Sequence, residues 1–318
     1  MEFVFLYLYL EQDGLNKMNW KKWYRECGLC PRECGVNRLE GRKGFCGQTA
    51  RLKVARAALH MWEEPCISGT RGSGTVFFAG CHLGCVFCQN GQISKGNSGK
   101  EISVIRLAEI FMELQEKGAH NINLVTPTHF VPQIVEALRI SRKMGLHLPI
   151  VYNTGGFESI DTLELLDGWI DVYLTDFKFM DLHLARRYAH AEGYPFYAVK
   201  ALEEMYRQTG DPVFDEDGMM TKGIIVRHMV MPGQSMDSRK IIDHLYENYG
   251  DKIFISLMNQ YTPSGNLEKY PELKEKVKSK VYDRLIDYMI RKGVENAFVQ
   301  EGETAKESFI PDFDGEGV

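Results

Sequence analysis

Residues 75–90 read TVFFAGCHLGCVFCQN, an apolar run that breaks at Gly80 into a loop carrying Cys81, Cys85 and Cys88. The run has the length and aromatic content of a buried strand, so three thiols stand at that strand's end. Thiolates are soft ligands that select zinc, copper or iron–sulfur clusters. Gaps of three and two residues let one irregular loop aim all three sulfurs at a single object. No fourth ligand follows locally. Four thiolates make a closed structural site, whereas three leave a position open for something that reacts. A zinc knuckle or a set of buried free thiols is the blander reading of the same residues.

Outward from this loop the chain alternates. Strand-like runs stand at 75–80, 122–125, 149–152, 172–175, 224–230, 254–258 and 297–300. Helical patterns fill 103–117, 130–144, 159–166, 182–191, 195–208, 238–249 and 278–292. Such alternation predicts right-handed βαβ units on a parallel sheet, and so many units favour an α/β barrel or partial barrel over a doubly wound sheet. Polar and glycine-rich residues follow the strands: the cysteine loop, NTGGFES (153–159) and DFK (176–178). Barrel enzymes build their sites on that face.

The 318 residues divide into a cysteine-rich segment at 1–70, a barrel at 71–300 and an acidic tail at 301–318. Eight clustered cysteines read as metal ligands in a reducing compartment, which predicts a cytoplasmic protein. The N-terminal FVFLYLYL is too short for a membrane span and lacks a basic flank. It reads as a strand, or as an upstream extension with Met18 as the start, and no membrane partner is expected. Residues 17–56 carry eleven Lys or Arg against three Glu, although the whole chain has net charge −5. Such a patch suits an acidic partner or nucleic acid; the simpler account is cations compensating anionic thiolates. No nucleic-acid fold motif accompanies it, so nucleic acid is not an expected partner. A metal–thiolate module engaging nucleic acid is the non-enzyme alternative.

The cysteine spacing, with Phe87 before the third cysteine, resembles the signature of the radical S-adenosylmethionine enzymes. The likeness covers roughly 75–262 and is nearest the pyruvate formate-lyase activating enzyme-like branch. It implies a partial (β/α)6 TIM-like barrel, with a [4Fe–4S] cluster on Cys81, Cys85 and Cys88. It also implies an oxidoreductase- or activase-like enzyme that cleaves S-adenosylmethionine to a 5′-deoxyadenosyl radical for hydrogen abstraction. NTGGF implies Asn153 at the cofactor's ribose; TDFK implies Asp176 at the ribose and Lys178 at the methionyl carboxylate. VRHMVMPG implies Arg227 on the same carboxylate, and Tyr261 stands where the activases have a His. The family's Gly-Gly-Glu segment is replaced by VTPTHF, so Thr126 falls at the turn that would meet the cofactor's ammonium. His129 beside it is either an acid–base group or a packing histidine. The implied partners are an electron donor such as flavodoxin or ferredoxin and a glycyl radical enzyme. Radical modification of another peptide, a small molecule or RNA is the alternative.

A second group, CGLCPRECGVNRLEGRKGFC, spaces Cys27, Cys30, Cys34 and Cys46 as a four-thiolate site for a second iron–sulfur cluster or zinc. It resembles an uncharacterised subgroup of the same branch with this extra N-terminal motif. Cys66 is left over and reads as a small buried hydrophobe. His60, Glu63 and Glu64 beside it are candidates for the barrel mouth or for a solvated turn.

Overall fold

The structure is a computed structural model and describes residues 20–96, 98–300 and 311–318. The strand expected at FVFLYLYL and the start at Met18 lie outside the described residues, as do tail residues 301–310.

Among the described residues there is one ten-stranded sheet. Its strands are β1 (Lys53–His60), β2 (Ser73–Phe78), β3 (Lys100–Glu101), β4 (Ile122–Val125), β5 (Ile150–Thr154), β6 (Val172–Asp176), β7 (Val213–Phe214), β8 (Met220–Met229), β9 (Phe254–Met258) and β10 (Ala297–Val299). The spatial order is β10-β9-β8-β6-β5-β4-β2-β1-β3, with β7 hairpinned onto β8. From β2 to β10 every neighbouring pair is parallel, while β1 runs antiparallel to β2 and to β3. The seven predicted strands and seven predicted helices all form, displaced by a few residues at their ends. Helix Val104–Glu116 opens on Ser103, whose side chain accepts from the Arg106 amide, and Leu182–Ala189 on Asp181, which accepts from His183 and Leu184.

The sheet is strongly curved. Val151 of β5 packs in one cluster with Val172, Leu174, Ile225 and Phe298 of β10. Four strand spacings separate β5 from β10, about 19 Å on a flat sheet at about 4.8 Å each, so the sheet must wrap round a lumen. The first and last strands of the path do not pair with each other, which leaves the barrel open. Alternation assigns the faces: Tyr152, Tyr173, Ile224 and Val226 point outward into the core beneath the helices, with Leu138, Leu163 and Leu202.

Two features go beyond the alternating pattern. β1 lies inside the segment expected to precede the barrel, yet it joins the sheet. After β1 the chain turns into the lumen, where Cys66 and Ile67 of the one-turn helix Pro65–Ser68 plug the barrel floor. Cys66 is thus packed as a small hydrophobe, and burial pushes its thiol up to about 12. Residues 311–318 fold back on β1: the Ala57 amide donates to the Glu316 carbonyl at 2.9 Å, Arg56 pairs with Asp314 and Glu316, and Phe313 packs edge-on against Phe77.

Candidate active site

A cavity of about 250 Å³ opens at the C-terminal ends of the parallel strands. Each strand delivers residues to it. β2 leads to Cys81, Cys85 and Cys88, β4 to Val125 and Thr126, β5 to Asn153 and Thr154, and β6 to Asp176 and Lys178. β8 supplies Arg227 and Met229, and β9 supplies Met258 and, just beyond it, Gln260. From below come His60 and Glu63, and Pro311 of the tail closes one side. All eight residues expected to serve the loop and the cofactor therefore meet in one cavity: Cys81, Cys85, Cys88, Thr126, Asn153, Asp176, Lys178 and Arg227.

The polar floor is one buried network centred on Arg227. Its Nε donates to Asp176 Oδ1 at 3.0 Å, its Nη1 to Glu63 Oε2 at 3.0 Å, and its Nη2 to Asn153 Oδ1 at 2.6 Å. Glu63 also accepts from Asn123 at 3.1 Å and Asn153 at 3.3 Å. Lys178 pairs with the second oxygen of Asp176. Burial opposes the charge on all these groups, and their mutual attraction decides the outcome. Asp176 is held below the usual carboxylate range by Lys178 and Arg227 despite its burial. The Lys178 ammonium, which burial alone would weaken, is raised by Asp176 and then by Cys85. Glu63 goes the other way, because burial outweighs Arg227. Arg227 thus has a donor on each of three side chains of this chain, whereas the Lys178 ammonium carries three donors and faces the cysteines. Glu63 and His60, which the sequence left open between the barrel mouth and a solvated turn, both line the cavity.

The loops that hold these groups need their glycines at specific points. Gly156 has φ +78°, and a Cβ there would lie 2.2 Å from the Asp176 carbonyl oxygen, so only glycine lets the β5 loop approach β6 this closely. Thr126 adopts φ +56° at the end of β4. A non-glycine residue costs of order 1 kcal/mol there, and its amide is held by the Asn153 carbonyl at 2.9 Å. His129 is a packing histidine: its Nε2 lies 2.8 Å from the Ala79 carbonyl oxygen, and burial pushes it down to about 3. Tyr261 points away from the cavity, donating to the Leu273 carbonyl at 2.6 Å and packing behind Phe87. Gln260 takes the position at the cavity instead.

Burial pushes the Cys85 thiol up to about 12 and raises Cys88 as well, with Lys178 acting in the opposite direction on both. Half-buried thiols close to one another and to an ammonium suit a group that takes them as thiolates. In the N-terminal group Cys27, Cys30 and Cys46 are buried and Cys34 is half-buried. Arg38, almost wholly buried, brings its Nη1 to 3.7 Å from the Cys27 sulfur, and the Phe45 amide lies 3.3 Å from the Cys34 sulfur. A buried guanidinium must be hydrogen-bonded, and the His129 and Thr49 carbonyls, each at 2.7 Å, serve it beside the sulfur. Among the described residues no three His, Cys, Asp or Glu side chains are drawn close enough to hold a single metal ion. Metal binding at both groups therefore rests on donor chemistry. No helix among the described residues is long and apolar enough to cross a membrane.

A sequence model of the Radical SAM superfamily matches residues 75–245. Among curated proteins, the uncharacterized protein MJ0674 of Methanocaldococcus jannaschii is 30% identical over 270 residues, covering 81% of this chain and 72% of that protein. Among solved structures, Streptococcus suis SuiB bound to its precursor peptide SuiA aligns with TM-score 0.49 and 15% identity, over 71% of this chain and 48% of SuiB. Methylornithine synthase PylB aligns with TM-score 0.47 and 16% identity, over 74% of this chain and 75% of that one. This chain spans about half the length of SuiB, and at these scores neither structure carries an argument about chemistry.

Proposed function

The chain belongs to the Radical SAM superfamily, and from that premise we propose that the cavity binds S-adenosylmethionine against a [4Fe–4S] cluster held by Cys81, Cys85 and Cys88. Membership implies an enzyme that uses both groups. When bound, they supply one chemistry: an electron from the cluster cleaves the cofactor to a 5′-deoxyadenosyl radical that abstracts hydrogen from a substrate. The single observation that supports the reading is the meeting of the three-cysteine loop and the Lys178–Asp176–Arg227–Asn153 network in one cavity.

The chain's own residues divide the work. Lys178, beside Cys85 and Asp176, suits the methionyl carboxylate through a charge-assisted hydrogen bond. Arg227 grips Asp176, Glu63 and Asn153, and so acts on the cofactor chiefly by holding the carboxylate and amide that suit the ribose hydroxyls. Thr126 offers its hydroxyl and carbonyl to the ammonium. Phe77, Met229 and Met258 keep water from the middle of the cavity. Flavodoxin or ferredoxin suits the electron supply. The N-terminal cysteines hold a second iron–sulfur cluster or zinc, supported by the burial of Arg38 against Cys27.

The test is anaerobic reconstitution with iron and sulfide, metal analysis and reduction with dithionite. The proposal expects S-adenosylmethionine to yield 5′-deoxyadenosine and methionine; a fully loaded protein that leaves it intact would overturn it. The activase resemblance of NTGGF, TDFK and VRHMVMPG supports a glycine of a partner glycyl radical enzyme as the substrate. That version predicts a persistent carbon-centred radical on the partner, seen as a doublet by electron paramagnetic resonance. Cleavage of the cofactor with every such partner silent would instead favour another peptide, a small molecule or RNA.

A further inference from the structure

Arg32 lies between Cys30 and Cys34, yet the carbonyls its side chain donates to all lie outside the N-terminal segment. Its Nε donates to the His82 carbonyl at 2.9 Å and its Nη2 to the Leu83 carbonyl at 3.1 Å, two of the three residues between Cys81 and Cys85. The same guanidinium reaches the carbonyls of Ala189, at 3.2 Å, and His190, at the end of helix Leu182–Ala189. It stacks over the Phe45 ring at 3.9 Å. Two further contacts join the same two pieces of chain. A Cβ on Gly80, the residue before Cys81, would lie 2.6 Å from the Cys46 carbonyl oxygen, and one on Gly84, the residue before Cys85, would lie 3.2 Å from the Phe45 ring.

We propose that the four-cysteine site sets the order of the cavity's cysteine loop, with Arg32 as the positioning residue that transmits its occupancy. This rests on both cysteine groups being metal sites, as read above. Between Trp20 and Leu52 the only helical elements are Lys22–Arg25 and the 3-10 turn Arg38–Glu40. The segment is anchored by a small cluster of Tyr24, Cys27 and Leu29, by the Tyr24 hydroxyl on Gln133 and by the Thr162 hydroxyl on the Leu29 carbonyl. A metal shared by the cysteines would add order where Cys30 and Cys34 flank Arg32. Arg32, flanked by two of those ligands, is fixed when they are fixed. Its planar fork then fastens two loop carbonyls to a helix end, which holds Cys81 and Cys85 toward the cavity. Gly80 against Cys46 and Gly84 against Phe45 make the seat into which the loop is pressed.

The experiment uses the full chain with Cys81, Cys85 and Cys88 all changed to Ser, so that added zinc or iron with sulfide loads only the four-cysteine site. Hydrogen exchange of the loop amides is then read without S-adenosylmethionine. Loading is expected to slow exchange at 82–88 by about ten- to hundredfold, the scale of one or two bonds from a charged donor. With Arg32→Gln added, loading should leave exchange at 82–88 unchanged while still slowing it at 27–46. Arg32→Lys, which keeps the charge without the fork, should recover part of the effect. Unchanged amide protection over 122–176 shows that each variant is folded. Slowing that survives Arg32→Gln, loading that never reaches the loop amides, or no metal uptake at 27–46 would each overturn the proposal. A failure of S-adenosylmethionine cleavage in the wild type would touch only the cofactor reading, because the exchange experiment does not use it.

Discussion

The two cysteine groups make opposite use of the same donor. In the N-terminal group three of four cysteines are buried, the segment is poor in helix and strand, and a buried guanidinium faces the sulfur of Cys27. In the loop after β2 all three cysteines are half-buried at the edge of a cavity, carried by a sheet and facing an ammonium. The contrast teaches that cysteine number and surroundings vary together. Four cysteines, three of them buried, would suit a centre that holds a fold. Three cysteines at a cavity edge would suit one that meets another molecule.

The sharpest way to break that comparison is to exchange the losses. Changing Cys81, Cys85 and Cys88 to Ala is expected to abolish S-adenosylmethionine cleavage while thermal unfolding moves little. Changing Cys27, Cys30, Cys34 and Cys46 to Ser should lower unfolding stability by several kcal/mol, because binding free energy at such a site is folding free energy. If the loop variant instead loses the fold and the N-terminal variant keeps it, the roles are reversed.

Next in size are the cations that face each group. Arg38→Ala removes a buried guanidinium that serves Cys27 and the Thr49 and His129 carbonyls, and should cost about 3 kcal/mol in denaturant unfolding. Lys178→Ala should weaken S-adenosylmethionine binding about ten- to hundredfold, a charge-assisted contact of about 1.5–3 kcal/mol, with a smaller effect on unfolding. Equilibrium binding and unfolding on both variants separate the two expectations.

Glu158 sharpens the comparison at the seam. Its carboxylate accepts from Thr128 at 2.7 Å and from Thr154, and it lies 3.8 Å from His82 in the cysteine loop. Burial raises it from 4.5 to about 7. A carboxyl raised by folding favours the folded state fully below its unfolded value and loses that contribution as pH rises through its folded value. This carboxyl's contribution to stability should therefore fall between pH 4.5 and about 7, and Glu158→Gln should remove that contribution from the pH profile. The smallest effect belongs to Tyr261→Phe. It should cost about 1 kcal/mol for one hydrogen bond and leave cofactor binding unchanged.

Much of this was legible because parallel strands and amphipathic helices differ in period, and because strand ends in such a sheet collect chemistry. Asn153, Asp176 and Arg227 could be placed together for that reason. Four things were not legible, or only in part, each for a physical reason. β1, reading KVARAALH, is buried on both faces along much of its length, so no clean alternation marks it. Glu63 could be read only as a residue of the barrel mouth or of a solvated turn, because it reaches the site from the lumen floor, an approach that depends on the sheet curving round residues 60–69. Tyr261 was misjudged by one residue, since successive side chains leaving a strand point to opposite sides; Gln260 faces the cavity and Tyr261 the core. Arg32 was readable only as one more charge in a basic stretch, because its four carbonyl partners lie 50 or more residues away.

Pro311 gives the cavity a history as well as a shape. Among the described residues that line the wall it comes last along the chain, and Phe313, Asp314 and Glu316 fasten that wall onto β1, the first described strand of the sheet. During vectorial synthesis, the loop thiols therefore stand beside an unfinished wall until the tail docks. On that order the Pro311 side of the cavity would be completed only when residues 311–318 meet Arg56 and Phe77.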